Sequence, residues 1–252
     1  MKITGTAGTF LVASLALAGC VAPGGTTVPQ MTKVNYYPQC YQPVQQLRQA
    51  DQQFAQTMAI NTALGAAGGA ALGGIIGGNW QSALYGAVAG GAVAAAGTYA
   101  QQRQQEADAE RRATLISNDM YHDSSEMQRA VVAARQANSC YNRAFNQVAA
   151  GVRRSTMPRE EARLRFAEIY DGQRETAAIL AQYGKKANDS VQEYQVAINQ
   201  QTQSARPTRS TRQMTQNFDR CNQQVSEINQ EQSSIQHEAD AQRSQANELA
   251  GA

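Results

Sequence analysis

Beyond Arg103 the chain carries three long stretches whose apolar positions alternate by three and four residues, the spacing of one helix face. The first runs from Ala113 through Ile116, Met120, Met127, Ala134 and Tyr141 to Val148, with Asp123 as its one charged interruption. The second runs from Ala162 through Phe166, Ile169, Gln173, Leu180 and Tyr183 to Ala197, and the third from Met214 through Phe218, Cys221, Val225, Ile228 and Gln242 to Leu249. Thr156-Met157-Pro158-Arg159-Glu160-Glu161 combines a capping hydroxyl, an early proline and first-turn acids, which is how a helix starts; Ala205-Arg206-Pro207-Thr208 is a helix break. The pattern predicts three rods of about 40 to 50 residues over 101–252, folded as an up-down-up bundle with a thin core of small and polar residues. Pairing of the rods between protomers, with core glutamines setting the register, fits the same pattern. Upstream, Val44, Leu47, Ala50 or Asp51, Phe54 and Met58 predict a short amphipathic helix over 41–58.

Between Asp51 and Arg103 lie 51 consecutive residues without a formal charge, and 62–97 holds 11 of the chain's 20 glycines. Gly65, Gly69, Gly73 and Gly77 recur every four residues, and Gly86, Gly90 and Ala94 continue that spacing beyond Asn79-Trp80-Gln81-Ser82. Four-residue spacing stacks them on one helix face. Glycine costs about 1 kcal/mol against alanine in a solvated helix, so this stretch would unravel in water. In a bilayer the backbone must satisfy its own hydrogen bonds, and a glycine row lets two helix backbones approach closely. Residues 59–100 therefore read as a membrane hairpin turning at 79–82, each arm spanning roughly 30 Å. Trp80 and Tyr85 would mark one interface and Tyr99 the other. Few residues in the first arm are strongly lipophilic, so a lone hairpin would insert only marginally and self-association through the glycine faces would help hold it.

The N-terminus carries Lys2, an apolar run from Ala7 to Leu17, and then Leu17-Ala18-Gly19-Cys20. Its length suits a signal h-region rather than a membrane span. The tetrad resembles the lipobox of bacterial lipoproteins, which implies removal of residues 1–19 and lipidation of Cys20. Two or more acyl chains make such an anchor stable. Residues 20–40, rich in proline and glycine with one charge, read as an extended tether. Together, the lipobox and LGAAGGAALGGIIGG resemble the glycine-zipper outer-membrane lipoproteins of the SlyB/Pcp kind, over the signal and about 40 zipper residues. The resemblance implies outer-membrane residence with the body in the periplasm, since Val21 rather than Asp follows Cys20, and it implies self-association and a role in envelope integrity.

Composition narrows the function. With 22 Lys+Arg against 20 Asp+Glu there is no cation excess to displace counterions from a polynucleotide, so nucleic acid is not an expected partner. His122 and His237 have no neighbour at ligand spacing, so no metal and no cofactor are expected, and thin heptad rods offer no enzyme active site. The expected class is all-α: a glycine-zipper membrane hairpin plus a long coiled-coil-like three-helix periplasmic bundle. The expected partners are membrane lipid, further copies of the chain and an envelope protein. The expected role is that of a structural lipoprotein, with an accessory subunit of a secretion or conjugation complex and a pore-forming oligomer as the alternatives.

Lipidation of Cys20 leaves Cys40, Cys140 and Cys221, an odd number in an oxidising compartment. If the membrane surface lies near residues 60 and 100 and the first rod runs straight on from there, Cys40 stands about 30 Å above it, Cys140 near 60 Å and Cys221 at roughly 20 to 35 Å. Matching heights predict a Cys40–Cys221 disulfide, with Cys140 free or available to a neighbouring protomer.

Overall fold

The computed structural model describes residues 27–63, 98–204 and 208–251. Among them the chain is all-α, with five helices: α1 Pro38–Ala63, α2 Thr98–Gln104, α3 Ala109–Arg153, α4 Arg159–Ser204 and α5 Arg209–Ala250. The three heptad stretches are α3, α4 and α5. Asp108 caps α3 by accepting from the Arg111 N–H at 2.8 Å. Thr208 and Thr211 form a reciprocal capping box on α5, and Gly251 closes it in the left-handed region at φ 64°. At the start of α4 the Thr156 hydroxyl turns back to the Gly151 carbonyl, so it finishes α3 rather than capping α4.

α3 and α5 run parallel with a nearly constant offset. Asn217 donates to the Ser117 carbonyl at 2.9 Å, Asn138 to Glu238 at 2.8 Å, and Gln242 to Asn142 at 2.7 Å, each pair 100 residues apart. α4 returns antiparallel to both, from Arg163 beside the Ala250 carbonyl at one end to Gln201 beside the Ala109 carbonyl at the other. We call the first end the tip and the second the base. Met120, Met127, Ile169, Leu180, Tyr183, Met214 and Ile228 fill the core, and the Tyr141 ring lies where a side chain on Gly172 would stand, so α3 and α4 approach closely there.

A fourth position, beyond the three rods that the periodicity predicts, is filled by α1 and α2 together, both packed on α3 and α4. α1 is longer than the expected 41–58, and its buried face carries Val44, Leu47, Asp51 and Phe54. α2 is not the beginning of the first rod. The chain reverses at 105–108, where Gln105 and Glu106 donate back to the Gln102 and Arg103 carbonyls, and α3 climbs alongside α2. Tyr99 and Arg103 consequently both reach Asp119.

Candidate functional site

Progress along α4 orders everything that packs on it. Phe54 of α1 lies against Tyr183 with ring centroids 4.9 Å apart, Tyr99 of α2 meets Tyr194 edge-on at 5.1 Å, and Gln104 donates to Gln200 at 2.7 Å. α1 and α2 therefore point the same way along one groove. From Tyr183 to Tyr194 is eleven residues, and α1 continues nine residues past Phe54 to Ala63 before the chain is next described at Thr98. Joining Ala63 directly to Thr98 would place Tyr99 eleven positions after Phe54, the same spacing as its partners on α4. The heptad face of α1, read as 40, 44, 47, 51 and 54, would also land on Tyr99. In sequence register, residues 64–97 are a stretch spliced into one helix of a four-helix bundle.

Hydrogen bonds hold the far side of this splice. Tyr99 donates to Asp119 at 2.6 Å, and Arg103 pairs with the same carboxylate while its guanidinium lies over the Tyr99 ring. The Tyr194 and Ser190 hydroxyls donate to Asp123 at 2.8 and 3.0 Å. Burial raises the Asp123 pKa against these two donors, so the charged interruption of the first heptad stripe is a buried acceptor. Tyr99, expected at a membrane interface, is instead 3% exposed in the bundle, because both its ring and its hydroxyl have partners there.

The near side is held by a strap. Residues 27–37, read as a tether, are non-helical but fixed to a stripe of α4 at Glu168, Glu175 and Gln182, spaced by one heptad. Glu168 accepts the Asn35, Tyr36 and Tyr37 N–H groups at 2.8 to 3.1 Å, which places a carboxylate at the positive end of α1. Glu175, fully buried, accepts the Met31 and Thr32 N–H groups and the Thr32 hydroxyl, each at 2.8 Å, and the Tyr41 hydroxyl at 2.9 Å. Arg48 pairs with it at 2.6 Å and also reaches the Val28 carbonyl. Burial alone would raise the Glu175 pKa. The guanidinium and the strap donors outweigh burial and hold it below the ordinary carboxylate value. Thr27 donates to Gln182, so the strap runs from the level of Gln182 back to Glu168, where α1 begins. Lower down, Lys186 pairs with buried Asp51 at 3.0 Å.

The expected Cys40–Cys221 disulfide is not formed: Cys40 is bonded to Cys140, with Cα atoms 5.3 Å apart. The height argument fails because α2 doubles back. Measured from Asp119, which Tyr99 touches, Cys140 stands only about 32 Å up α3, and Cys40 stands about 35 Å above Ala63. Cys221, beside the Met120 carbonyl at 3.2 Å, lies close to the splice itself. It is a buried thiol, its pKa pushed up to about 12 by burial, with Asp123 adding to the rise.

Cys20 and the zipper positions Gly65, Gly69, Gly73, Gly77, Gly86 and Gly90 lie outside the described residues. No described helix is long and apolar enough to cross a membrane. Among the described residues no group of His, Cys, Asp and Glu side chains has the arrangement of a metal site. Glu168 and Glu175 went unmarked in the sequence, since two glutamates seven residues apart on a charged helix look like any solvated face. No protein-family model, curated protein or solved structure matches the chain.

Proposed function

We propose that the protein is an outer-membrane lipoprotein with a structural role in the envelope, anchored through lipid on Cys20 and self-associating through glycine-lined helices within 64–97. One observation carries the reading: both departures from the bundle toward the proposed membrane elements lie between the middle of the rod and its base. The splice falls between the levels of Tyr183 and Tyr194, and the strap is first described at Gln182. Seven residues separate Cys20 from Thr27, up to about 25 Å of chain, and the level of Tyr194 is about 18 Å from that of Gln182. Lipid and zipper can thus meet one bilayer, while the tip, near Arg159, extends about 35 to 50 Å from the splice.

The staples suit that load. Any pull on 64–97 is passed to α1 and α2. α1 is held by a disulfide, two buried carboxylates and the Lys186–Asp51 pair, and α2 by Tyr99 and Arg103. Crosslinking of intact cells followed by membrane fractionation and labelled-palmitate incorporation tests the proposal. The expected result is labelled homo-oligomers in the outer membrane, lost with Cys20→Ser. Equal labelling of that variant would remove the anchor, and a stoichiometric second protein in the crosslinked species would favour the accessory-subunit role.

A further inference from the structure

The tip is built by the turn between α3 and α4. There the Thr156 N–H donates to the Gly151 carbonyl at 2.9 Å, which gathers Arg153, Arg154 and Arg159 around one tight connection. All three are exposed, and among the described residues none of their side chains meets a carboxylate. Residues 151–165 hold five arginines and two glutamates, a net +3 where the whole chain carries +2. Both glutamates are engaged, Glu160 by Arg163 at 3.5 Å and Glu161 by Arg165 at 2.5 Å. Of the other carboxylates at this end, Glu168 is taken up by the strap, and Glu248 stands exposed on the last turn of α5. The end as a whole is cationic.

Helix electrostatics accounts for only part of this. Arg153 and Arg154 lie at the negative end of α3, where cations stabilise the helix. Arg159 is the first residue of α4, at the positive end, where a cation is repelled. A guanidinium that opposes its own helix and has no partner in its own fold is placed for an anion outside the molecule.

We propose that the tip docks on a carboxylate-bearing polymer and, resting on the outer-membrane reading above, that this polymer is the peptidoglycan beneath that membrane. The tip lies about 35 to 50 Å from the splice, at the end of the rod away from the proposed bilayer. Peptidoglycan stems present free carboxylates in a repeating array, so exposed ion pairs that are weak singly add up when several tips are held on one surface. A lipid surface fits less well. Leu164 is the one large apolar side chain exposed here among the described residues, whereas an interfacial helix needs an apolar face.

The test is cosedimentation of the full-length protein, purified in detergent, with lipid-free peptidoglycan sacculi. Each exposed pair is worth a factor of about 1.5 to 5, so R153Q/R154Q/R159Q is expected to bind about 10-fold more weakly with helicity retained. R111Q/R209Q/R212Q, which removes three exposed arginines from the base, is expected to bind like wild type. Sacculi with amidated carboxylates, and salt at about 0.5 M, are each expected to release the wild-type protein. The proposal is overturned if wild type does not bind sacculi, if the tip and base variants bind alike, or if amidation leaves binding unchanged. It is overturned in favour of lipid if only phosphatidylglycerol vesicles distinguish the tip variant from wild type. The sacculus assay needs neither lipidation nor a bilayer, so its failure would strike the tip alone and leave the anchor to the palmitate labelling.

Discussion

Excising residues 64–97 and joining Ala63 to Thr98 tests the splice directly. The join converts a 34-residue connection into one peptide bond between helices that already share a direction and a heptad face. Loop-closure entropy for a connection of that length is about 3 kcal/mol, which the direct join returns as a ceiling on the gain. The control adds two alanines at the join. At 100° per residue they turn α2 by about 200°, taking Tyr99 off the α3–α4 groove. Losing a buried aromatic contact costs about 3 to 5 kcal/mol, the loss expected on truncating such a side chain. In a domain of this size 1 kcal/mol moves Tm by about 2 to 4 °C, so the two excised proteins should differ by roughly 6 to 20 °C, the direct join melting higher. Circular dichroism measures this, and peptide mapping without reducing agent checks that Cys40–Cys140 forms in both. If the two melt together, or if the direct join is unfolded, α1 and α2 are not one interrupted helix.

Other consequences follow from single side chains. Glu175→Gln removes the charge that gathers Arg48 and the strap amides, and should destabilise the protein by about 2 to 4 kcal/mol and expose residues 27–37 to protease; an unchanged cleavage rate would show that Glu175 does not hold the strap. Because the Glu175 pKa is lowered on folding, its stabilisation is present above the ordinary glutamate pKa and is lost as pH falls through its depressed folded value, so acid-induced loosening of the strap should disappear in Glu175→Gln. Cys40→Ser and Cys140→Ser should cost the same, up to about 4.7 kcal/mol for a loop of about 100 residues, whereas Cys221 in the native protein should resist alkylation until unfolding; rapid labelling of Cys221 would contradict its burial. Gly172→Ala should destabilise by about 1 to 3 kcal/mol despite the better helix propensity of alanine, since its Cβ would stand 2.2 Å from the Tyr141 ring; a stabilised variant by thermal melt would mean that the ring moves aside freely.

The three long helices were legible because heptad spacing is a local property. A stripe such as Ile169, Leu180 and Tyr183 has one way to be buried, and Pro158 and Thr208 mark where the rods start. The amphipathic face of Val44, Leu47 and Phe54 was legible for the same reason. The reversal after Gln104 was not, since residues 101–112 hold neither glycine nor proline and the one local signal, the α3 cap Asp108, is weak beside the helix formers around it. Tertiary contacts decide it: Tyr99 and Arg103 gain Asp119 and Tyr194 only if the chain turns back. That one reversal moves Cys140 down by about 20 to 30 Å relative to Cys40 and changes the disulfide from Cys221 to Cys140. Glu168, Glu175 and Asp123 tell the same story from the side of charge: periodicity assigns each a place on a helix, but whether a carboxylate meets solvent, the N–H groups of a strap or the hydroxyls of another helix depends on which segment the fold lays across it.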